Sequence, residues 1–280
     1  MSATNNGAPT LQVGEMEIPR IGLGTWELEG SEATEAVRDG LEIGYRHIDT
    51  ARAYENEEQV GEAIADSEVD RDQIFLTTKL WFEDLGADGV RSQMEGSLKQ
   101  LDTDYVDLLL IHWPNPDADL AETLGAMAEL HADGKVRHIG ISNFPTRELS
   151  AAIACSELPI AANQVEFHPY LDQSELLQMT AKEGIALEAY SPLASGQIPG
   201  DDTLEKVGEK YGKSAAQVAI RWLLEHDQVV ALPRSSSHEN RLDNFEVFDF
   251  DLDDDDRRTI DAMASPDGRQ VDPDFAPEWD

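Results

Sequence analysis

The chain has one cysteine in 280 residues. A single thiol excludes an intrachain disulfide and a cysteine-based metal cluster, and no metal is expected. Cys155 follows the alanine-rich stretch 151–154 and reads as a small buried hydrophobe. No apolar run approaches the roughly 18 residues of a transmembrane helix. Residues 1–10 lack a charged n-region and an apolar h-region, so no secretory signal is expected and a soluble, cytoplasmic protein follows. Basic residues are scarce. Lys and Arg total 21 against 57 Asp and Glu, a formal net charge of −36. Such a chain has no basic face for a phosphate backbone and is repelled by anionic bilayers, which excludes general nucleic-acid binding and membrane docking.

The acids are spread through every segment, besides runs such as 253–256. A tail built for a basic partner would gather them at one end. A surface of this kind suits molar salt, where a Debye length of about 3 Å screens self-repulsion. The expectation is a salt-adapted, halophilic protein that is monomeric, since like charge opposes weak association. Hydrophobic residues at 40% still supply a core and exclude disorder throughout.

Short β-rich runs alternate with amphipathic helical patterns. The runs are 21–26, 46–50, 74–80, 106–112, 138–142, 161–167, 186–190 and 229–232. Helical patterns lie near 32–43, 57–65, 89–101, 120–132, 146–154, 174–183, 214–225, 239–244 and 253–264. Ser214 is a plausible N-cap, and Gly44, Gly134 and Gly184 suit left-handed helix ends. Residues 12–18 read as a hairpin turning at Gly14. About eight βα units mean a closed (β/α)8 TIM barrel or an open doubly wound sheet. The open sheet expects a Gly-rich phosphate loop after its first strand. Gly22-Leu23-Gly24 lacks the third glycine, and Trp26 stands where small residues belong. The expectation is one α/β domain over 1–280, a (β/α)8 barrel behind a short hairpin, with tails at 1–10 and 265–280.

Reactive side chains of a barrel sit at the C-terminal ends of its strands. Reading those ends gives Asp49 with Tyr54 in the next loop, then Lys79, His112, Ser142-Asn143, Asn163-Gln164 and Tyr190-Ser191. A free phenol, with a pKa near 10, is a poor acid at neutral pH. A nearby ammonium favours the phenolate and is expected to lower that value. A buried carboxylate keeps the ammonium charged, and a histidine orients a carbonyl oxygen. Singly, Asp49 reads as a helix cap, Lys79 as an ion pair, His112 as a core histidine and Tyr54 as a loop aromatic. Jointly, at successive strand ends, they fit protonation of an oxygen gaining negative charge.

Five segments resemble the aldo-keto reductase family: GYRHIDTARAYENE (44–57), TTKLW (77–81), LIHWP (110–114), GKVRHIGISNF (134–144) and NQVEFHPY (163–170). They lie in the family's order and the likeness runs over nearly the whole chain. It implies NAD(P)H-dependent reduction of an aldehyde or ketone. Tyr54 would protonate the carbonyl oxygen, Lys79 and Asp49 would tune it, and His112 would orient the substrate. Ser142, Asn143 and Gln164 would hold the nicotinamide carboxamide and Tyr190 would stack on its ring. Ser191 and Leu193 would line the pyrophosphate path, and Asn244 would read the adenine. At the far end Arg234 stands for the family's Lys, beside Ser235. Asn240 stands for the Arg that pairs with the 2′-phosphate, and Arg241 comes one residue later, about 100° round a helix. Arg234 and Ser235 favour NADPH, with NADH or dual use open. Ion pairing on an acidic surface is the other reading of both arginines.

Trp26, Trp81 and Trp113 stand at or just past strand ends and read as a wall for small carbonyl compounds, with core packing as the alternative. The tail 265–280 is short, and Trp279 either covers the pocket or hangs in solvent. The chain is similar to the prokaryotic branch that reduces methylglyoxal and 2,5-diketo-gluconate. Two other functions compete. A nicotinamide-binding regulatory subunit, as in potassium-channel β subunits, would need a membrane partner. An aldolase or isomerase would use Lys79 as a Schiff-base nucleophile and need no cofactor.

Overall fold

The computed structural model describes residues 8–265 and 267–280. Most of the N-terminal tail expected at 1–10 lies outside the described residues. An antiparallel hairpin comes first, β1 (Thr10–Val13) and β2 (Met16–Pro19), turned by Gly14 at φ +56°. Parallel strands follow in chain order: β3 (Leu23–Gly24), β4 (His47–Asp49), β5 (Phe75–Leu80), β6 (Val106–Ile111), β7 (Val136–Ser142), β8 (Ile160–Glu166), β9 (Ala186–Tyr190) and β10 (Val229–Leu232). The ring closes where Ile21 bridges Ala231 in parallel and the Gly24 N–H donates to the Pro233 carbonyl at 3.0 Å. Around it run α1 (Gly30–Ile43), α2 (Glu57–Ala65), α3 (Ala87–Gln100), α4 (Leu120–Ala132), α5 (Thr146–Cys155), α6 (Ser174–Glu183), α7 (Asp202–Glu209), α8 (Ala215–Leu224), α9 (His238–Phe245) and α10 (Asp254–Asp261). The expected (β/α)8 barrel and its hairpin are both present.

Strands β5, β6 and β8 are buried at every position, as parallel strands covered by helices must be. One apolar cluster lies between strands and helices, with Val37, Val60, Met94, Leu109 and Ile139 among its members. A second fills the barrel interior. There Phe75, Leu108, Leu110, Ala186, Val230 and Leu232 meet Val13, Met16 and Ile18 of the hairpin. The hairpin therefore plugs the end at which the strands begin. Met16 and Ile18 are fully buried, each worth about 1.5–3 kcal/mol. With the floor closed, only the C-terminal mouth is left for a site.

Ser214 forms a capping box with Gln217, and Gly44, Gly134 and Gly184 all have positive φ. Three readings need correction. The first core strand is shorter than 21–26: only Leu23–Gly24 pairs as a strand, with Ile21 an isolated bridge before it. Helix α7 has no counterpart among the expected helices, although Asp201 caps it by accepting from the Thr203 and Leu204 N–H groups and Leu204 and Val207 are buried. Cys155 is half-buried at the end of α5, packed against the core rather than within it. The acidic run 253–256 has a structural use as well. Asp253 caps α10, and buried Asp256 accepts from Lys210 and from the Tyr211 hydroxyl. Among the described residues, no helix is long and apolar enough to cross a membrane, and no cluster of acidic, histidine and cysteine side chains is placed to hold a metal.

Candidate active site

Asp49 and Lys79 face the interior from β4 and β5, and both are buried. The Lys79 ammonium donates to Asp49 Oδ1 at 2.6 Å, to the Thr50 carbonyl at 2.9 Å and to the Tyr54 hydroxyl at 3.2 Å. A short 3₁₀ turn at Arg52–Tyr54, closed by Glu55 in the left-handed region at φ 56°, carries Tyr54 back over the mouth. Buried Asn56 anchors this loop by donating to the carbonyls of Thr25 and Leu28 and accepting from Thr50. The His112 ring stands edge-on to Tyr54 with centroids 5.6 Å apart. The four residues singled out at the strand ends thus converge.

Burial works against the Lys79 charge, but Asp49 and Tyr54 outweigh it and hold the ammonium above the usual lysine range. A Schiff-base role needs a free amine, whereas the Lys79 ammonium has all three donors engaged, which counts against that alternative. For Tyr54 the pull of Lys79 has the expected sign, but the net shift does not follow it. Burial pushes the phenol up, Lys79 pulls it back, and Asp49 adds to the rise, so the net shift is upward. Desolvating the phenolate costs more than one ammonium, itself neutralised by Asp49, returns. Burial, and then Lys79, hold His112 well below the usual histidine range, so its imidazole is neutral.

Beside this centre Ser142, Asn143, Gln164 and Tyr190 form one network. Ser142 Oγ donates to the Gln164 carbonyl at 2.8 Å, and Asn143 Nδ2 to the His112 carbonyl at 3.0 Å. Asn143 adopts φ 63°, and the Tyr190 hydroxyl donates to its Oδ1 at 2.8 Å. The Gln164 amide nitrogen donates to Asp49 Oδ2 at 2.8 Å. Ser191, at φ 47°, starts the loop that leads to Leu193.

A groove of about 500 Å³ runs on from Leu193 past Lys213 to Arg234, Ser235, Asn240 and Asn244. Arg234 is exposed there and donates to the carbonyls of Trp26 and Glu27. Arg241 is buried away from the groove, on Asp39 Oδ2 at 2.7 Å and the Ser235 carbonyl at 3.0 Å. For Arg241 the ion-pair reading holds.

The three tryptophans separate. Trp26 is 50% exposed at the rim by Arg234, Trp81 stands 5.4 Å from the His112 ring, and Trp113 is buried. The C-terminal segment completes the wall. Phe275 lies 4.5 Å from Phe82, 5.3 Å from Trp113 and 6.0 Å from Trp81, centroid to centroid. Trp279 packs on Trp113 at 6.1 Å, with the Arg269 guanidinium 3.6 Å over its ring. Phe82 and Phe275 escape the strand-end reading. The one available clue is two aromatics, Phe275 and Trp279, in an otherwise polar tail.

A parallel barrel closed at its floor, with an acid–base cluster and a long groove at its mouth, defines a barrel enzyme acting on a small molecule. A profile of the aldo/keto reductase family matches residues 20–265, and the chain belongs to that family of oxidoreductases. It is 44% identical over 249 residues to glyoxal reductase of Bacillus subtilis, covering 89% of this chain and 90% of that protein. It is similar to a crystal structure provisionally assigned as 2,5-diketo-D-gluconic acid reductase B, with a TM-score of 0.96, 42% identity and 98% of each chain covered. The Bombyx mori aldo-keto reductase in complex with NADP is likewise similar, with a TM-score of 0.88, 33% identity and 97% and 99% of the two chains covered.

Proposed function

We propose that the protein reduces small aldehydes or ketones to alcohols with NADPH, and with NADH less well, Tyr54 being the general acid. The observation that carries this reading is the chain Tyr54–Lys79–Asp49, 3.2 Å and 2.6 Å long, opening on a mouth shared with a neutral histidine. A bound reduced nicotinamide supplies the hydride. The upward shift of Tyr54 means that the phenol enters turnover carrying its proton. It passes that proton to the carbonyl oxygen as charge develops there, and the Lys79 ammonium faces the phenolate left behind. Asp49 keeps Lys79 charged and pointed at Tyr54. The neutral His112 imidazole offers an N–H to the same carbonyl oxygen.

The groove and the network fit the cofactor. A volume of about 500 Å³ is the size of a small-molecule site, and the side-chain oxygen of Gln164, unlike its amide nitrogen, is engaged by no protein donor among the described residues. Ser142, Asn143, Gln164 and Tyr190 would receive the nicotinamide, Ser191 and Leu193 the pyrophosphate, and Arg234, Ser235 and Asn244 the adenosine end. Arg234 is the guanidinium available for a 2′-phosphate, and its planar fork suits that group. With Asn240 alongside and Arg241 turned away, the margin over NADH is narrow.

Trp26, Trp81 and Trp113, joined by Phe82 and Phe275, would wall a pocket for small dicarbonyls or keto sugars, in keeping with the names of the relatives. We take the whole chain as one barrel unit, a cytoplasmic monomer adapted to high salt. The test follows reduced-nicotinamide absorbance in molar KCl, with NADPH and NADH separately and a panel of small aldehydes including glyoxals. Consumption that needs the aldehyde supports the reading. Folded protein that consumes neither cofactor with any aldehyde overturns it.

A further inference from the structure

Beneath the Asp49–Lys79 pair lie two ionisable groups that the proposed reaction does not use. His47 and Glu188 are wholly buried. They occupy the inward phase of their strands, two residues before Asp49 on β4 and two before Tyr190 on β9. Below them the barrel is apolar, and the Phe75 ring meets His47 edge-on at 5.1 Å. A side chain on Gly22 would strike the same imidazole, since a Cβ there would lie 2.6 Å from His47 Nδ1. His47 Nε2 lies 3.1 Å from Thr77 Oγ1 and 3.7 Å from Glu188 Oε1. The Gln164 amide nitrogen donates to Asp49 Oδ2 at 2.8 Å and to Glu188 Oε2 at 3.2 Å. One amide therefore ties the Asp49 carboxylate to a second carboxyl group one layer deeper.

The groups facing Glu188 are His47 and Asp49 from β4, Lys79 from β5 and Gln164 from β8, while β10 is Val-Val-Ala-Leu and carries no charge. The cation among them, Lys79, already spends its donors on Asp49, Thr50 and Tyr54. Glu188 Oε1 has no hydrogen-bond partner among the described residues. An ionised Glu188 would thus be a second negative charge in a closed layer with one cation. Burial first, and then Asp49, push its carboxyl up to about 8, against smaller pulls from Gln164 and Lys79. Burial, and then Lys79, hold His47 down to about 3, so it brings no positive charge.

We propose that Glu188 is a positioning residue and a pH gate for Tyr54: as the neutral acid it anchors the second N–H of Gln164, and on losing its proton to solvent it leaves an unpaired negative charge beside the Asp49–Lys79 pair. The proposal rests on the reading of Tyr54 as the acid. With both amide protons of Gln164 engaged, the amide does not flip, and its carbonyl stays free for the cofactor. When Glu188 ionises, the layer goes from neutral to one net negative charge. The Tyr54 phenolate formed on proton donation then becomes costlier, and turnover falls. The alkaline limb of activity belongs to Glu188, because Tyr54 itself titrates higher.

The test compares the wild type with Glu188→Gln, which keeps the shape and an acceptor for Gln164 but does not ionise. From one unit below pH 8 to one unit above, the wild-type kcat should drop about tenfold, the change in the neutral fraction of one acid. In E188Q that drop should vanish. An equal drop in both proteins overturns the proposal. Thermal unfolding gives a readout independent of turnover. A carboxyl raised in the folded state stabilises the fold below its ordinary value, and that contribution is lost as pH rises through about 8. The Tm of E188Q should therefore gain on the wild type as pH rises. Parallel Tm curves overturn the proposal even if carbonyl reduction is observed. Diverging curves with no reductase activity sink the Tyr54 reading instead, while the Glu188 proton stands. Should E188Q fail to fold, the wild-type infrared spectrum decides. A protonated-carboxyl band that titrates near pH 8 is required, and its absence overturns the proposal.

Discussion

Glu166, at the end of β8, accepts the backbone N–H groups of Gln270 at 2.7 Å and Val271 at 3.0 Å. This fully buried carboxylate clasps the C-terminal segment across the mouth, and Phe275 and Trp279 reach the aromatic wall beyond it. At the far end Asp280 caps α5 by accepting from the Thr146 N–H and hydroxyl. Glu166→Ala removes the clasp and leaves two N–H groups without their acceptor, a local cost of about 1–3 kcal/mol. The KM for small aldehydes should rise, and limited proteolysis should cut the segment 269–280 faster than in the wild type. Unchanged protection of that segment would dismiss the clasp.

Tyr54→Phe keeps the ring against His112 and removes the hydroxyl, and with it the donated proton and the acceptor of Lys79. Turnover should fall by about 10²–10⁴-fold, the usual contribution of a general acid. Cofactor affinity, followed by quenching of protein fluorescence, should change little. Substantial residual turnover in this variant would take the acid role from Tyr54.

Arg234→Ala should weaken NADPH by about 10–100-fold, the worth of a charge-assisted contact to phosphate. NADH, which lacks the 2′-phosphate, should lose much less. Equal losses would mean that Arg234 serves the rim, through its contacts to Trp26 and Glu27, and not the cofactor's far end.

Dilution from molar KCl into low-salt buffer lengthens the Debye length from about 3 Å to tens of ångströms. With a net charge of −36, self-repulsion should then lower the Tm steadily. A Tm independent of salt would remove the case for salt adaptation.

Acid should destabilise the protein through its buried histidines. His47, held neutral down to about 3, is protonated far more readily in the unfolded chain, near 6.5. Its contribution is fully present above pH 6.5 and is lost as pH falls, at about 1.4 kcal/mol per unit, until the folded value is reached. His112 acts in the same direction. The slope of stability against pH between about 6 and 4 should flatten in His47→Gln. Superimposable slopes would count against a buried neutral His47.

Much of the site is legible in the chain because barrel chemistry is confined to strand ends. Asp49, Lys79 and His112 stand there in plain order, and a lysine inside an apolar strand announces a buried partner. Glu188 is less visible. It sits in Ala186–Tyr190 on the same phase as Tyr190, and nothing local tells an inward carboxylate from an outward one. Helix α7 is missed for a related reason, since its two-turn pattern is short and lies in a Gly- and Asp-rich loop.

Periodicity, strand-end residues and charge excess, all properties of neighbouring positions along the chain, determine the barrel, the converging acid–base residues and the acidic surface. Only the tertiary structure decides what depends on partners far apart in sequence. Gln164 bridges Asp49 and Glu188 across the barrel, and Arg241 turns to Asp39 rather than to the groove. The net direction of the Tyr54 shift belongs to the same class. Desolvation and Coulomb terms depend on distance and burial in space, and neither is a property of any short stretch of chain.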